Sequence, residues 1–300
     1  MRCSIRACVM LSSAEVAASP PARLRRRRHL SPDRLIFWLS VAWAVGLVVA
    51  ALSAPWLPLK SPIDGDLTDM LAPPGKDYWL GADSLGRDIL ARCVFGAQVS
   101  LSVALGSVAV GLLFGGTLGV LAGYFGGTLD RLITGAMTVV LCFPALILAI
   151  AIVASLGPNL LTVTVAIGAL FVPAFARIAR ANTLVFRERE FVIAAEAIGA
   201  RVGRILLREI LPNLMPSLLS YALVMLGVAI LAEAALGFLG LSVRPPTPSW
   251  GGMIAADRGS LVDAPHAVFA PALVLFVTVL AINVIGERAR AFFDIKAQAL

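Results

Sequence analysis

The sequence predicts an all-α membrane protein with six transmembrane helices and both termini in the cytoplasm. Three observations carry that expectation. First, 59% of the 300 residues are hydrophobic and 14% are charged, whereas a soluble domain carries about 25% charged residues. Mean hydropathy is +0.90. Second, several uncharged runs are long enough to cross a bilayer, which takes about 20 residues. Third, the net charge of +7 is mostly arginine. It gathers at the ends of apolar runs and in one polar island, the distribution that positive cytoplasmic loops require.

Residues 1–33 form a basic tail with Arg23, Arg25, Arg26, Arg27 and Arg28. Leu35 to Leu59 carries no charge. It exceeds the apolar core of a signal peptide, about 7–15 residues, so a retained helix is expected over 34–55. Ala51-Leu52-Ser53-Ala54 is only a faint likeness of a cleavage site. Residues 55–92, rich in Pro, Gly and Asp, form an extracytoplasmic loop. From Cys93 to Leu129 no residue is charged, which predicts a helix over 95–122. The next uncharged run, Leu132 to Ala176, is too long for one helix at 1.5 Å per residue. Gly157-Pro158-Asn159 divides it into helices over 129–156 and 160–181.

Ile210 to Val243 is apolar except for Glu233 and predicts a helix over 214–240. Residues 244–263 are polar and proline-bearing, so an outer loop is expected. Ala264 to Gly286 predicts the last helix, 265–288, ahead of Arg288, Arg290 and Lys296. The chain therefore divides into a cytoplasmic tail (1–33), a first helix with its outer loop (34–94), a five-helix unit (95–290) with a cytoplasmic loop at 182–213, and a second cytoplasmic tail (291–300).

Several function classes find no support. No basic face sits on a soluble domain, which argues against nucleic acid. Cys3, Cys8, Cys93 and Cys142 show no Cys-x-x-Cys spacing, and His29 and His266 cannot make a zinc helix. Cys142, in an apolar run, is expected to be a small packing residue. A phosphate-binding loop ends in Gly-Lys-Ser/Thr, but Gly75-Lys76 is followed by Asp77. There is no Gly-x-Ser-x-Gly nucleophile elbow. No catalytic residue and no metal site is expected.

The polar island, Arg177 to Pro212, is the most informative segment. Glu188 to Ile210 has no proline and favours helix. Arg201, Arg204 and Arg208 fall on one stripe, with Val202, Ile205 and Leu206 opposite. Gly199 interrupts the run, so two short helices with a bend are expected. Pro212 then opens the next membrane helix, where a missing N–H costs little. Such an island fits a solvated loop that sets topology, or a docking helix for a soluble subunit.

Residues 194–212 resemble the EAA loop of binding-protein-dependent ATP-binding-cassette (ABC) importer permeases, whose pattern is Glu-Ala-Ala, three residues, Gly, nine residues, Ile-x-Leu-Pro. Ala194, Ala195, Gly199, Leu211 and Pro212 match; Ile193 and Glu209 depart from it. Arg187 to Phe191, with Glu190, is similar to the dipeptide/oligopeptide branch. Tyr78 to Asp88 resembles the outer-loop signature of that branch's C-type subunit, with Gly81, Asp83, Gly86, Arg87 and Asp88. Gly123 to Gly127, Asp130-Arg131, Glu233, Phe238 to Leu241 and Pro245 to Gly251 follow in order, so the resemblance covers about 34–296.

The resemblance implies a type I ABC importer permease in a bacterial plasma membrane. It implies a B-type second permease subunit, two ABC ATPase subunits and an extracytoplasmic substrate-binding protein. ATP and magnesium would sit on the ATPase subunits and no cofactor on this chain. The implied cargo is dipeptides or oligopeptides; nickel chelates and haem are the alternatives within the branch. An ion-coupled secondary transporter is the alternative of another class. It needs coupling residues at membrane depth, where Glu233 is the candidate.

Four further features remain open in sequence. Gly111, Gly115, Gly119 and Gly123, each four apart, fit plain helix packing or a sliding subunit contact. Glu233 fits a place near the outer interface, a structural hydrogen bond, or cargo contact. The Gly81–Asp88 loop fits a cap on the first helix pair or a binding-protein contact. Pro245, Pro246 and Pro248 stiffen the second outer loop, which fits a rigid turn or the same contact, with Trp250 as an interfacial anchor.

Overall fold

The computed structural model describes residues 32–298, with side chains from Arg34 to Ala291. The expected basic tail falls outside these residues, apart from the two that open the first helix. That helix, α1, spans Pro32–Ser53 and closes with a 3₁₀ turn, Ala54–Trp56. After the outer loop, α2 (Ile89–Val110) passes through a π-helical turn (Gly111–Gly115) into α3 (Gly116–Phe125). The run begins six residues before the expected 95 because the Asp88 carboxylate caps it, accepting from the backbone N–H of Leu90 and Ala91.

The single helix expected over 129–156 is instead two, α4 (Gly127–Leu141) and α5 (Ala145–Leu156), which meet at 87°. Pro144 is the reason. It offers no N–H to the preceding turn, and it drives the residue before it out of helical geometry. Cys142 lies at this break and is exposed, so it is not the packing residue expected. The next helix, α6, spans Leu160–Arg187, with the Asn159 side chain accepting from Thr162 N at 2.9 Å.

The polar island then folds as α7 (Glu190–Ala197), a turn at Gly199, and α8 (Val202–Arg204). A second π-helical turn, Ile205–Ile210, leads directly into α9 (Leu211–Phe238). The membrane helix expected at 214–240 thus runs without a break from Val202. The second outer loop is not wholly irregular. It carries α10 (Trp250–Asp257), whose eight residues are too few and too mixed in polarity for a periodic signal. The last helix, α11 (Pro265–Gln298), continues ten residues past the expected 288.

Among the described residues, five helical runs are long and apolar enough to cross a membrane, and the bent α4–α5 pair makes a sixth if counted as one. Helix α6 is central and packs on α2, α3, α5 and α9. Helix α11 lies on α9, α1 lies on α11 and α2, and α10 wedges against both α9 and α11. Val103, Ile167, Phe175, Leu218 and Ile230 form the core, with Phe175 edge-on to Tyr221. About half of the α2–α3 span is buried but only 11% of the α1 span. The flank of α1 is therefore left for lipid or a neighbouring subunit.

Candidate coupling loop and extracytoplasmic cap

A row of glycines lets α2 and α3 pack closely on α6. Gly111, Gly115, Gly119 and Gly123 all face α6. A Cβ on Gly115 would sit 2.4 Å from the Val172 carbonyl oxygen, and one on Gly123 2.8 Å from the Thr183 Cβ. Four residues overshoot a 3.6-residue turn by about 40°. The wider π turn between Gly111 and Gly115 offsets that drift and holds both glycines on one face.

Helix α7 sits at the end of this seam. Its Val192 is fully buried against Ile205 and Ile210, with Tyr124, Ala195, Ala200 and Leu206 around them. Ile205 and Leu206, expected on the apolar stripe of the island, pack inward, while Val202 remains 41% exposed. The other side of α7 is bare: Glu190 and Ala194 are exposed, as are Phe191, Ile193 and Ile198. Gly199 follows at φ +75°, a conformation that costs glycine little. Its missing Cβ would meet nothing within 4 Å. Leu211 and Pro212 open α9 on the far side of the π turn.

Two contacts tie this region to the neighbouring spans. The Tyr124 hydroxyl donates to Glu196 Oε1 at 3.1 Å, and Arg187 Nη1 donates to the Tyr124 carbonyl at 3.0 Å. Nearby, the Arg180 guanidinium grips Asp130 with two hydrogen bonds, the fork geometry that makes such pairs strong. A cavity of about 270 Å³ lies between α3, α4 and α6, bordered by Thr134, Met137, Pro173 and Arg177.

At the opposite end, the outer signature folds into a knot. Gly81 and Gly86 take φ of +85° and +70°. Asp83 is 1% exposed and accepts from Leu85 N, Arg87 N and Arg87 Nε at 2.9, 2.9 and 2.7 Å. Arg92 Nε also stands 3.3 Å from the same carboxylate. The Asp257 carboxylate accepts from Ser84 N at 3.0 Å, which fastens this loop to α10. Exposed on the knot are Trp79 and Leu85. Beside it, the Thr68 backbone N–H and hydroxyl hold the exposed Asp66 carboxyl below its usual value. Burial, then the Asp69 hydrogen bond, pushes Tyr78 up.

Glu233 lies in α9, five residues from its outer end, and is fully buried. Its two oxygens accept from Ser100 Oγ at 2.8 Å and Ser242 Oγ at 2.7 Å. Trp250 is not an interfacial anchor. It is fully buried, and its Nε1 donates to the Cys93 carbonyl at 3.0 Å. Ser100, Ser242, Asp257 and Tyr124 had no assigned role in sequence. A serine in an apolar helix, a serine in a loop, an aspartate at the end of a short helix and a tyrosine at a helix end give no signal until the fold brings their partners near.

Among the described residues, an all-helical bundle with spans of membrane-crossing length, a short exposed helix between two of them and a knotted loop at the other end fits a membrane-embedded subunit. The chain belongs to the family of binding-protein-dependent transport system inner membrane components, whose pattern matches residues 115–297. It is 40% identical over 265 residues to the glutathione transport system permease protein GsiD of Pectobacterium atrosepticum, covering 86% of this chain and 88% of that protein. It is also 40% identical over 252 residues to the dipeptide transport system permease protein DppC of Alkalihalophilus pseudofirmus, covering 84% and 83%. Among solved structures, the inward-facing MetNI methionine ABC transporter matches 68% of this chain and 97% of its own matched chain, with a TM-score of 0.57 at 20% identity. The fold is that of a type I ABC importer permease. The protein is a multi-pass bacterial membrane permease that works with other subunits of an ABC importer.

Proposed function

We propose that this chain forms half of the transmembrane path of a short-peptide importer and that α7 is the surface on which an ATPase subunit docks. A B-type permease completes the path. Two ABC ATPase subunits, which carry ATP and magnesium, sit on the cytoplasmic side with α7 and both termini. An extracytoplasmic binding protein delivers cargo to the outer loops. Dipeptides and oligopeptides are the cargo class, in line with relatives named for dipeptide and glutathione transport.

The observation that carries this reading is the bare face of α7, with Phe191, Ile193 and Ile198 exposed on a helix whose other side is locked to two spans. An apolar face of this kind calls for a protein partner. Ile193, where the family pattern has glutamate, makes it more apolar still. When ATP closes the ATPase pair, α7 moves as a rigid lever and shifts the balance between two states of the path. Ala194, Ala195 and Gly199 keep the helix slim and end it sharply. The enclosed Glu233 weighs against ion coupling, because both its oxygens are already engaged.

The test is a purified complex in proteoliposomes. Its ATP hydrolysis is expected to be vanadate-sensitive and stimulated by a cargo-loaded binding protein. Uptake that survives ATP depletion but collapses with an ionophore would overturn the proposal. Ala194→Trp adds bulk at an exposed helical position of α7, so loss of ATPase binding or of coupling in that variant locates the docking face.

A further inference from the structure

We propose that the hydrogen bond between Tyr124 and Glu196 is the latch through which α7 moves the α3–α4 elbow. This rests on the docking role of α7 given above. The family pattern places the docking helix; it does not say which side chains hand its displacement to the spans.

The geometry around the latch is specific. Tyr124 belongs to α3 but reaches the coupling helix by its hydroxyl, 3.1 Å from Glu196. Its ring packs in the same apolar cluster that buries Val192. Its carbonyl is held by Arg187 at the end of α6. Among the described residues, this is the side-chain hydrogen bond that joins α7 to a membrane helix outside its own chain neighbours. Two residues later the chain turns at Gly126 and Gly127, with φ of +63° and +58°. A displacement of Tyr124 is thus delivered at a hinge.

Beyond the hinge, α4 packs only lightly on the rest of this chain. It has no buried residue along its length. Its first turn is fastened by Asp130 to Arg180 on α6, and the cavity between α3, α4 and α6 leaves room behind it. Movement of α3 is eased by the glycine seam, which opposes Gly119 and Gly123 to backbone and small side chains of α6. Glu196 is exposed in this chain. An ATPase seated over α7 removes water from the latch, and a hydrogen bond in a drier setting is stronger. The latch therefore tightens when the partner is bound, which is when force must pass.

The experiment uses the full complex in proteoliposomes and reads three quantities: recovery of ATPase subunits with the permease, ATP hydrolysed, and cargo imported per ATP. Tyr124→Phe keeps the ring in the cluster but removes the donor. It is expected to retain the ATPase subunits while cargo per ATP falls about fivefold, the lower end of coupling between linked sites. Glu196→Ala is expected to match it. Glu196→Gln, which keeps a carbonyl acceptor, is expected to retain most of the coupling. The double variant Tyr124→Phe/Glu196→Ala is expected to be no worse than either single change, since both break one contact. Unchanged cargo per ATP in Tyr124→Phe, or additive losses in the double variant, overturns the latch and leaves docking intact. Failure of the unaltered permease to recover ATPase subunits overturns the docking reading and the latch together.

Discussion

A methyl group on Gly119 of α3 would lie 2.3 Å from the carbonyl oxygen of Ala176 on α6. The neighbour is helix backbone and cannot swing aside. Gly119→Leu is therefore expected to separate α3 from α6, with a cost of at least about 1–3 kcal/mol. The result should be a lower melting temperature in detergent and less monodisperse protein on size exclusion. Gly135→Ala, inside α4 with nothing within 4 Å, is the control and should be at least as stable as the unaltered chain, since alanine favours helix over glycine.

Glu233 joins three parts of the chain. It stands on α9, Ser100 on α2, and Ser242 in the loop beyond α9. Glu233→Ala strands both hydroxyls in a buried site, at about 1–3 kcal/mol for each unsatisfied group. Glu233→Gln keeps one acceptor and should lose less. Thermal melts of the two variants give the ranking directly. Uptake by Glu233→Gln should remain dependent on ATP and insensitive to ionophore. Equal destabilisation by alanine and glutamine would show that the hydroxyl contacts contribute little.

Trp250 fills the junction of α10 with the bundle and hydrogen-bonds the Cys93 carbonyl. Trp250→Ala is expected to cost about 3–5 kcal/mol, as for other buried aromatic truncations. Trp250→Phe keeps most of the volume and should cost about 1 kcal/mol for the lost hydrogen bond. Tryptophan fluorescence is a poor readout, since the chain has five tryptophans. Circular-dichroism melts should order the variants alanine, phenylalanine, unaltered, from least to most stable.

Trp250 also marks where the sequence stops being legible. Uncharged runs and arginine placement announced the spans, because lipid imposes long apolar windows on composition. The bend at Gly199 was readable from one glycine in a helix-prone run. Residues 244–263 looked like a loop because three prolines and several polar residues dominate them. The apolar contacts of Trp250 and Met253 are made to distant helices and leave no local period. The α4–α5 break was available in Phe143-Pro144, but hydropathy averaged over 129–156 concealed it. The Tyr124–Glu196 and Ser100–Glu233 pairs are separated by 72 and 133 residues. No spacing rule reaches that far.

The outer knot separates a structural role from a contact role. Asp83 neutralises Arg87 and faces Arg92, and all three side chains are nearly out of solvent. Asp83→Asn leaves the buried Arg87 guanidinium without its ion-pair partner, and leaves Arg92 with Asp257 alone of the two carboxylates that act on it. Removing one member of such a buried pair costs about 3–5 kcal/mol. Asp88 also lies in the knot, but its carboxylate caps α2, and asparagine caps a helix about as well. Asp88→Asn should therefore be mild, while Asp83→Asn should open the loop to protease added from outside and lower the melting temperature. Trp79 and Leu85 are exposed, at 76% and 48%. Trp79→Ala and Leu85→Ala should leave stability unchanged and, if the proposed binding protein docks on the knot, weaken its binding. If they instead destabilise the chain, the knot serves only as a cap. If Asp83→Asn is neutral, the buried ion pair does not hold the knot, and the fastening of Ser84 to Asp257 must suffice.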